Sequence, residues 1–131
     1  DSTDFDCHSI DAVFSNTLNK WLWMDPTNDA YVMNEKGELL SISDVRERLI
    51  NDMPLILNPD ANWNHKISIA KEYYLYYYMA KNLYAFQCTV TEGGESKSNL
   101  LLPVEYKGII PRTKMNKPKC TNNPNDFWAK P

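Results

Sequence analysis

Residues 72–79 read Glu-Tyr-Tyr-Leu-Tyr-Tyr-Tyr-Met, and no other stretch constrains the fold so tightly. Five tyrosines in six positions must be buried, stacked or exposed together. Alternation places Tyr73, Leu75, Tyr77 and Met79 on one face of an extended strand, and Tyr74, Tyr76 and Tyr78 on the other. Aromatic side chains suit a pleated surface better than a helix. The reading is therefore a strand over 67–79, covered on both faces as a central strand is. A tight turn at Lys81-Asn82 would return the chain into a partner strand, 83–90. There Tyr84, Phe86, Cys88 and Val90 share a face, which puts Cys88 in the core as a small hydrophobe. The tyrosine stripe reads as core packing ahead of a base-stacking platform.

Ahead of this run, Ile10, Val13, Phe14, Leu18, Trp21 and Leu22 recur at the spacing of one helical face. They predict an amphipathic helix over Ser9–Trp23, capped by Ser9 and stopped by Asp25-Pro26. Ala30–Met33 and Leu39–Ile42 flank a turn at Gly37 and read as a hairpin. A short helix follows, capped at Ser43 or Asp44 and broken at Met53-Pro54, and Leu55–Leu57 reads as a buried strand. Beyond an exposed loop at 91–99, residues 100–106 form a further strand whose Pro103 marks an edge or an end. Residues 121–131 read as a tail. Helix first and mostly antiparallel strands afterwards give the α+β class. At 131 residues the expectation is one domain, 1–131.

Charge separates the C-terminal part from the rest. Fourteen basic against seventeen acidic residues leave a net charge of −3, so bulk electrostatics do not point to nucleic acid. Lys107, Arg112, Lys114, Lys117 and Lys119, however, occur within 107–119 without one acid. They are the candidate RNA or phosphate contacts, weighed against a solvated connection. No apolar run approaches the length of a transmembrane helix, and no membrane partner is expected. The start at Asp1 fits a leader peptide already removed, and equally a shortened chain.

Three cysteines, Cys7, Cys88 and Cys120, match no zinc or Cys-x-x-Cys motif. Metals and cofactors are therefore not expected. Cys7 and Cys120 both lie in terminal segments with poor cores of their own, and chain ends often lie close together. A Cys7–Cys120 bridge with Cys88 reduced is one reading, and three unpaired thiols are the other. On a chain-entropy model so long a loop gains about 4–5 kcal/mol on closure, less any strain.

The triplet Phe5-Asp6-Cys7, a helix directly after it, aromatic-rich strands and a late Cys120 together resemble the RNase-like secreted effectors of the cereal powdery mildew fungi. The likeness covers most of the chain in organisation, with the triplet and the terminal cysteine as its motifs. It implies a ribonuclease T1-like fold, one N-terminal helix packed on a curved antiparallel sheet. It also implies a disulfide between the two ends, secretion by the fungus and delivery into host plant cells. Members generally lack the ribonuclease catalytic set. Some are avirulence determinants recognised by plant immune receptors, and some bind RNA or host proteins. The partners implied are thus a host plant protein, such as an intracellular immune receptor, and weakly bound RNA. Segment 43–53 and the residues after Cys120 depart from the compact pattern.

Catalytic residues are not assigned. RNA cleavage needs an acid–base pair across a phosphate and a cation for the developing charge. His65 and Glu72 are the nearest candidates, yet an extended chain would hold them on the order of 23 Å apart. Burial of Glu72 among tyrosines would also favour its neutral acid, a poor base. His8 adjoins Cys7 and faces no predicted carboxylate. An inactive RNase-like effector is the reading, with an active ribonuclease and a small α+β inhibitor or immunity protein as alternatives.

Overall fold

The computed structural model describes residues 7–92, 94–104, 106 and 118–130. The fold is mixed α+β, with small, largely antiparallel sheets and few helices. The chain divides into two compact units, 1–82 with 130–131, and 83–129.

The first unit opens with a hairpin where the periodicity predicts a helix. Strands β1 (Asp11–Ser15) and β2 (Lys20–Met24) pair antiparallel, with Val13 opposite Leu22 and Phe14 opposite Trp21. The expected helix Ser9–Trp23 is thus corrected. Asn16-Thr17-Leu18-Asn19 supplies the turn, Asn19 taking a left-handed φ of 51° that asparagine tolerates. Ser15 Oγ accepts from the Leu18 amide at 3.2 Å. Phe14 and Trp21 meet edge to face at 5.3 Å, a cross-strand aromatic pair that a helix would not form.

Strand β3 (Val32–Met33) pairs with β4 (Ile56–Leu57), so the Leu55–Leu57 strand is present but short. The expected turn at Gly37 forms, with φ +78° and a bond from the Gly37 amide to the Asn34 carbonyl. Helix α1 (Ile42–Ile50) is capped by Ser41, ahead of the expected caps Ser43 and Asp44. Ser41 Oγ accepts from the Asp44 amide at 3.0 Å, and Asp44 Oδ2 accepts from the Ser41 amide at 2.9 Å. This reciprocal capping box satisfies two amides that the helix leaves unpaired. The short hairpin β5 (Asn62–Trp63) and β6 (Ile67–Ser68) follows.

The tyrosine run is the second correction. Glu72–Met79 is a π-helix, continued by a helical turn α2 (Ala80–Asn82), and not a strand. Its i→i+5 bonding gives more than four residues per turn, so residues four and five apart become neighbours. Tyr74, Leu75 and Met79 are buried on one side. They join Leu22, Trp23, Val32, Leu40, Ile42, Val45 and Leu55 as buried residues of this unit. Ala70, Ala80 and the lysines are good helix formers, and Asn82 Nδ2 caps the Tyr78 carbonyl at 2.9 Å. The expected turn at Lys81-Asn82 is accordingly the helix end.

The second unit is the sheet β7 (Phe86–Glu92), β8 (Glu95–Leu101) and β9 (Lys119–Thr121). β7 pairs antiparallel with β8, not with the tyrosine run, and β9 lies parallel to β8. The expected loop at 91–99 is largely strand, its turn carried by Gly94 at φ +83°. Residues after Cys120 take regular structure as the end of β9 and α3 (Pro124–Phe127). Phe86 packs with Phe127 and Trp128 at 6.4 and 5.7 Å between ring centroids.

Candidate binding surface

The π-helix divides its five tyrosines between two environments. Tyr74 is buried, Tyr78 is half-buried, and Tyr73, Tyr76 and Tyr77 are 56, 44 and 69% exposed. Tyr73 stacks on Tyr77 (5.5 Å, 27° between planes) and lies nearly parallel to Tyr78 (6.5 Å, 13°). These are the neighbours that a π-helix brings together four and five residues apart. A lysine stands at each end. Lys71 Nζ lies 5.9 Å from the Tyr76 ring centre and Lys81 Nζ lies 5.5 Å from that of Tyr78. Lys71 Nζ also donates to the Leu55 carbonyl at 3.5 Å, so its ring contact is one of several that hold it beside the helix. Glu72 is the one acid in the segment 71–82, 4.0 Å from Lys71, so two lysines against one glutamate leave that segment at +1.

Beneath this face lies a buried polar node. The Asp25 side chain is wholly buried, and His8 reaches its Oδ2 through Nε2 at 2.7 Å. Tyr74 OH donates to the same oxygen at 2.6 Å, and Asn28 Nδ2 at 2.8 Å. Oδ1 accepts from the Thr27 and Asn28 amides at 3.1 and 3.2 Å. Burial by itself raises the carboxyl pKa. Hydrogen bonds from His8, Tyr74 and Asn28, with the His8 charge, outweigh it and hold Asp25 below its ordinary 3.8. Since the carboxylate has no proton to give, Nε2 of His8 carries one toward it. The other nitrogen, Nδ1, lies 3.3 Å from Tyr78 OH, and the two rings meet edge to face at 5.3 Å. The Tyr74 hydroxyl is pushed well above its usual range by burial, then by Asp25. Both groups are consumed in holding the hairpin, the Asp25–Ala30 turn and the π-helix together.

The sequence candidates fall elsewhere. His65 sits at the tip of the β5–β6 hairpin, 79% exposed and 3.9 Å from Asp29. Glu72 projects into solvent with a 78% exposed side chain, so its expected burial among tyrosines is corrected. Cys7 and Cys120 are exposed, Cys88 is half-buried, and all three thiols are unbonded. Burial raises the Cys88 thiol. Cys120 Sγ lies 3.7 Å from the Pro118 carbonyl. Lys119 is exposed in β9, while Lys107, Arg112, Lys114 and Lys117 lie outside the described residues. Among the described residues no group of His, Cys, Asp or Glu is placed to hold a metal ion, and no helix is long and apolar enough to cross a membrane.

Sequence reasoning missed His8, Asp25 and the outward tyrosines. Asp25-Pro26-Thr27-Asn28 carried the one available signal. An aspartate whose side chain bonds the amides two and three residues ahead forms an Asx-type turn. Pro26 makes the same stretch a helix stop in the sequence reading. Comparison with protein-family models, curated proteins and solved structures finds no match.

Proposed function

We propose that this chain is a non-catalytic binding protein, a secreted fungal effector of the RNase-like kind its sequence resembles, whose tyrosine face takes single-stranded RNA in the host plant cell. One observation carries the reading: three exposed tyrosines on a single helix, two of them stacked, with a lysine at either end. Base–aromatic stacking contributes about 1–3 kcal/mol per base and tolerates any sequence. Lys71 and Lys81 put positive charge beside the rings, and the basic residues of 107–119 are a separate candidate for phosphate contact. Glu72 and the net charge of −3 keep the affinity low.

The non-catalytic part rests on placement. His8 is committed to Asp25 inside the unit, whereas His65 and Glu72 stand exposed beside other partners. Recognition by a plant immune receptor belongs to the same proposal, since exposed aromatic rings are efficient protein contacts as well. The ribonuclease T1-like architecture and the Cys7–Cys120 bridge belong to it too. The antiparallel β7–β8 pair supports the first, and the hairpin standing in place of an N-terminal helix weighs against it. The second rests on the resemblance, since both thiols are free in the structure.

The test is fluorescence anisotropy with a labelled single-stranded oligouridylate. Binding should be weak and fall steeply with salt, as counterion release requires. Tyr73→Ala with Tyr77→Ala should weaken it at least about tenfold. Unchanged binding in that variant moves the site, and loss in Lys114→Glu with Lys117→Glu and Lys119→Glu would place it on the basic segment. Absence of binding by the parent chain favours a host protein as the partner, and cleavage of the RNA revives the ribonuclease.

A further inference from the structure

We infer that His8 is a positioning residue for the tyrosine face: the segment before β1 sets the geometry of a ladder that lies on another element. The inference rests on the binding reading for its consequence, but not for its geometry.

Asp25 is an immobile anchor, buried and held by two backbone amides, an asparagine and a tyrosine besides His8. A ring bonded to such an anchor at 2.7 Å has little freedom to turn. Its orientation then aims the opposite nitrogen at Tyr78 OH and presents its edge to the Tyr78 ring. Tyr78 is the inner rung. Its ring lies 13° from parallel with Tyr73, which stacks on Tyr77, the most exposed tyrosine of the helix. Contact therefore runs without a break from a fixed buried carboxylate to the outermost ring. Tyrosines on a lone helix would sample several χ1 wells, and ordering them on binding would cost side-chain entropy. A ladder braced from below has lost that freedom before the ligand arrives.

Two variants separate this role from simple support of the fold. His8→Gln keeps an N–H donor for Asp25 and removes the ring against Tyr78. His8→Phe keeps the ring and removes the donor. Near-ultraviolet circular dichroism reads the stacked tyrosines directly, without RNA, and anisotropy with the oligouridylate reads affinity.

The expected result is a His8→Gln protein that is folded, with a weakened tyrosine signal and affinity lowered about threefold to tenfold. His8→Phe keeps a ring against Tyr78 without the bond that fixes it, so it should be less stable to denaturant and also show a weakened tyrosine signal. A His8→Gln protein with the parental signal overturns the inference. So does a His8→Phe protein, folded well below its melting point, that keeps the parental signal without the Asp25 bond; this arm decides alone if His8→Gln does not fold. Failure of the binding reading looks different. In that case Tyr73→Ala with Tyr77→Ala leaves affinity untouched while the dichroism still reports on His8.

Discussion

The inner and outer faces of the π-helix carry the same residue in opposite circumstances. Tyr74 is 1% exposed and its hydroxyl donates to Asp25, whereas Tyr77 is 69% exposed and its ring lies along Tyr73. A buried tyrosine must find a partner for its O–H, and Asp25 is that partner. An exposed tyrosine needs none, and it contributes little that a lysine or glutamate would not contribute to the same helix. Burying Tyr74, Leu75 and Met79 accounts for the inner face. Among the described residues, the ring contacts of Tyr73, Tyr76 and Tyr77 are with one another, with Tyr78 and with Lys71, which is why we propose a ligand for the outer face.

The strongest way to break that contrast is to remove the anchor of the inner face. Asp25→Ala leaves His8, Tyr74 and Asn28 without their buried acceptor. It should destabilise the protein by about 3–5 kcal/mol, the usual result of breaking a buried charged pair on one side. Denaturant titration measures it. Acid tests the same group without mutation. The folded-state pKa of Asp25 is depressed, so its contribution is complete above the unfolded value of about 3.9 and is lost as pH falls through the folded one. Asp44 behaves alike: burial raises its carboxyl, and bonds from the Ser41 backbone and side chain, with Lys20, bring it below 3.8. Stability should therefore decline below about pH 4, and Asp25→Asn should flatten that decline. An unchanged acid limb in the variant would remove Asp25 from the account.

Smaller changes sharpen the comparison. Tyr74→Phe deletes one donor to Asp25 while keeping the buried ring, at an expected cost of about 1–3 kcal/mol. Ser41→Ala removes the side-chain half of the α1 cap and should cost about 1 kcal/mol. If the two costs coincide, the Tyr74 bond is worth no more than an ordinary cap.

Legibility in the sequence followed how local each determinant is. The Gly37 turn and the 42–50 helix were readable because a positive φ and a cap are decided within a few residues. The hairpin over 11–24 and the tyrosine helix were read the wrong way round for a shared reason. Val13, Phe14, Trp21 and Leu22 satisfy a helical face, yet they also pair across a four-residue turn, Val13 with Leu22 and Phe14 with Trp21. Their β-branched and aromatic character, with Asn16 and Asn19 between them, was the overlooked signal. In the tyrosine run almost every position is large, so no period can be extracted from it. Its fate was decided by Asp25, 49 residues away, which accepts the Tyr74 hydroxyl inside the core. The candidate surface was hidden for the same reason. Which tyrosines face outward depends on helical pitch, and an alternating strand distributes them differently.

The smallest expected effect is the most informative about the outer face. Tyr77→Ala removes a ring that is mostly in water and touches Tyr73 alone among the ring contacts of the described residues. Exposed substitutions of this kind usually stay within about ±0.5 kcal/mol of the parent, and alanine is the better helix former. The loss of one partly hydrated stack offsets part of that gain. Denaturant midpoints should therefore coincide, while oligouridylate affinity falls by about fivefold or more for one lost stacking site. If stability falls by 2 kcal/mol or so, the outer rings are part of the fold's own packing. The contrast between the faces would then collapse, and the surface would have no claim to a ligand.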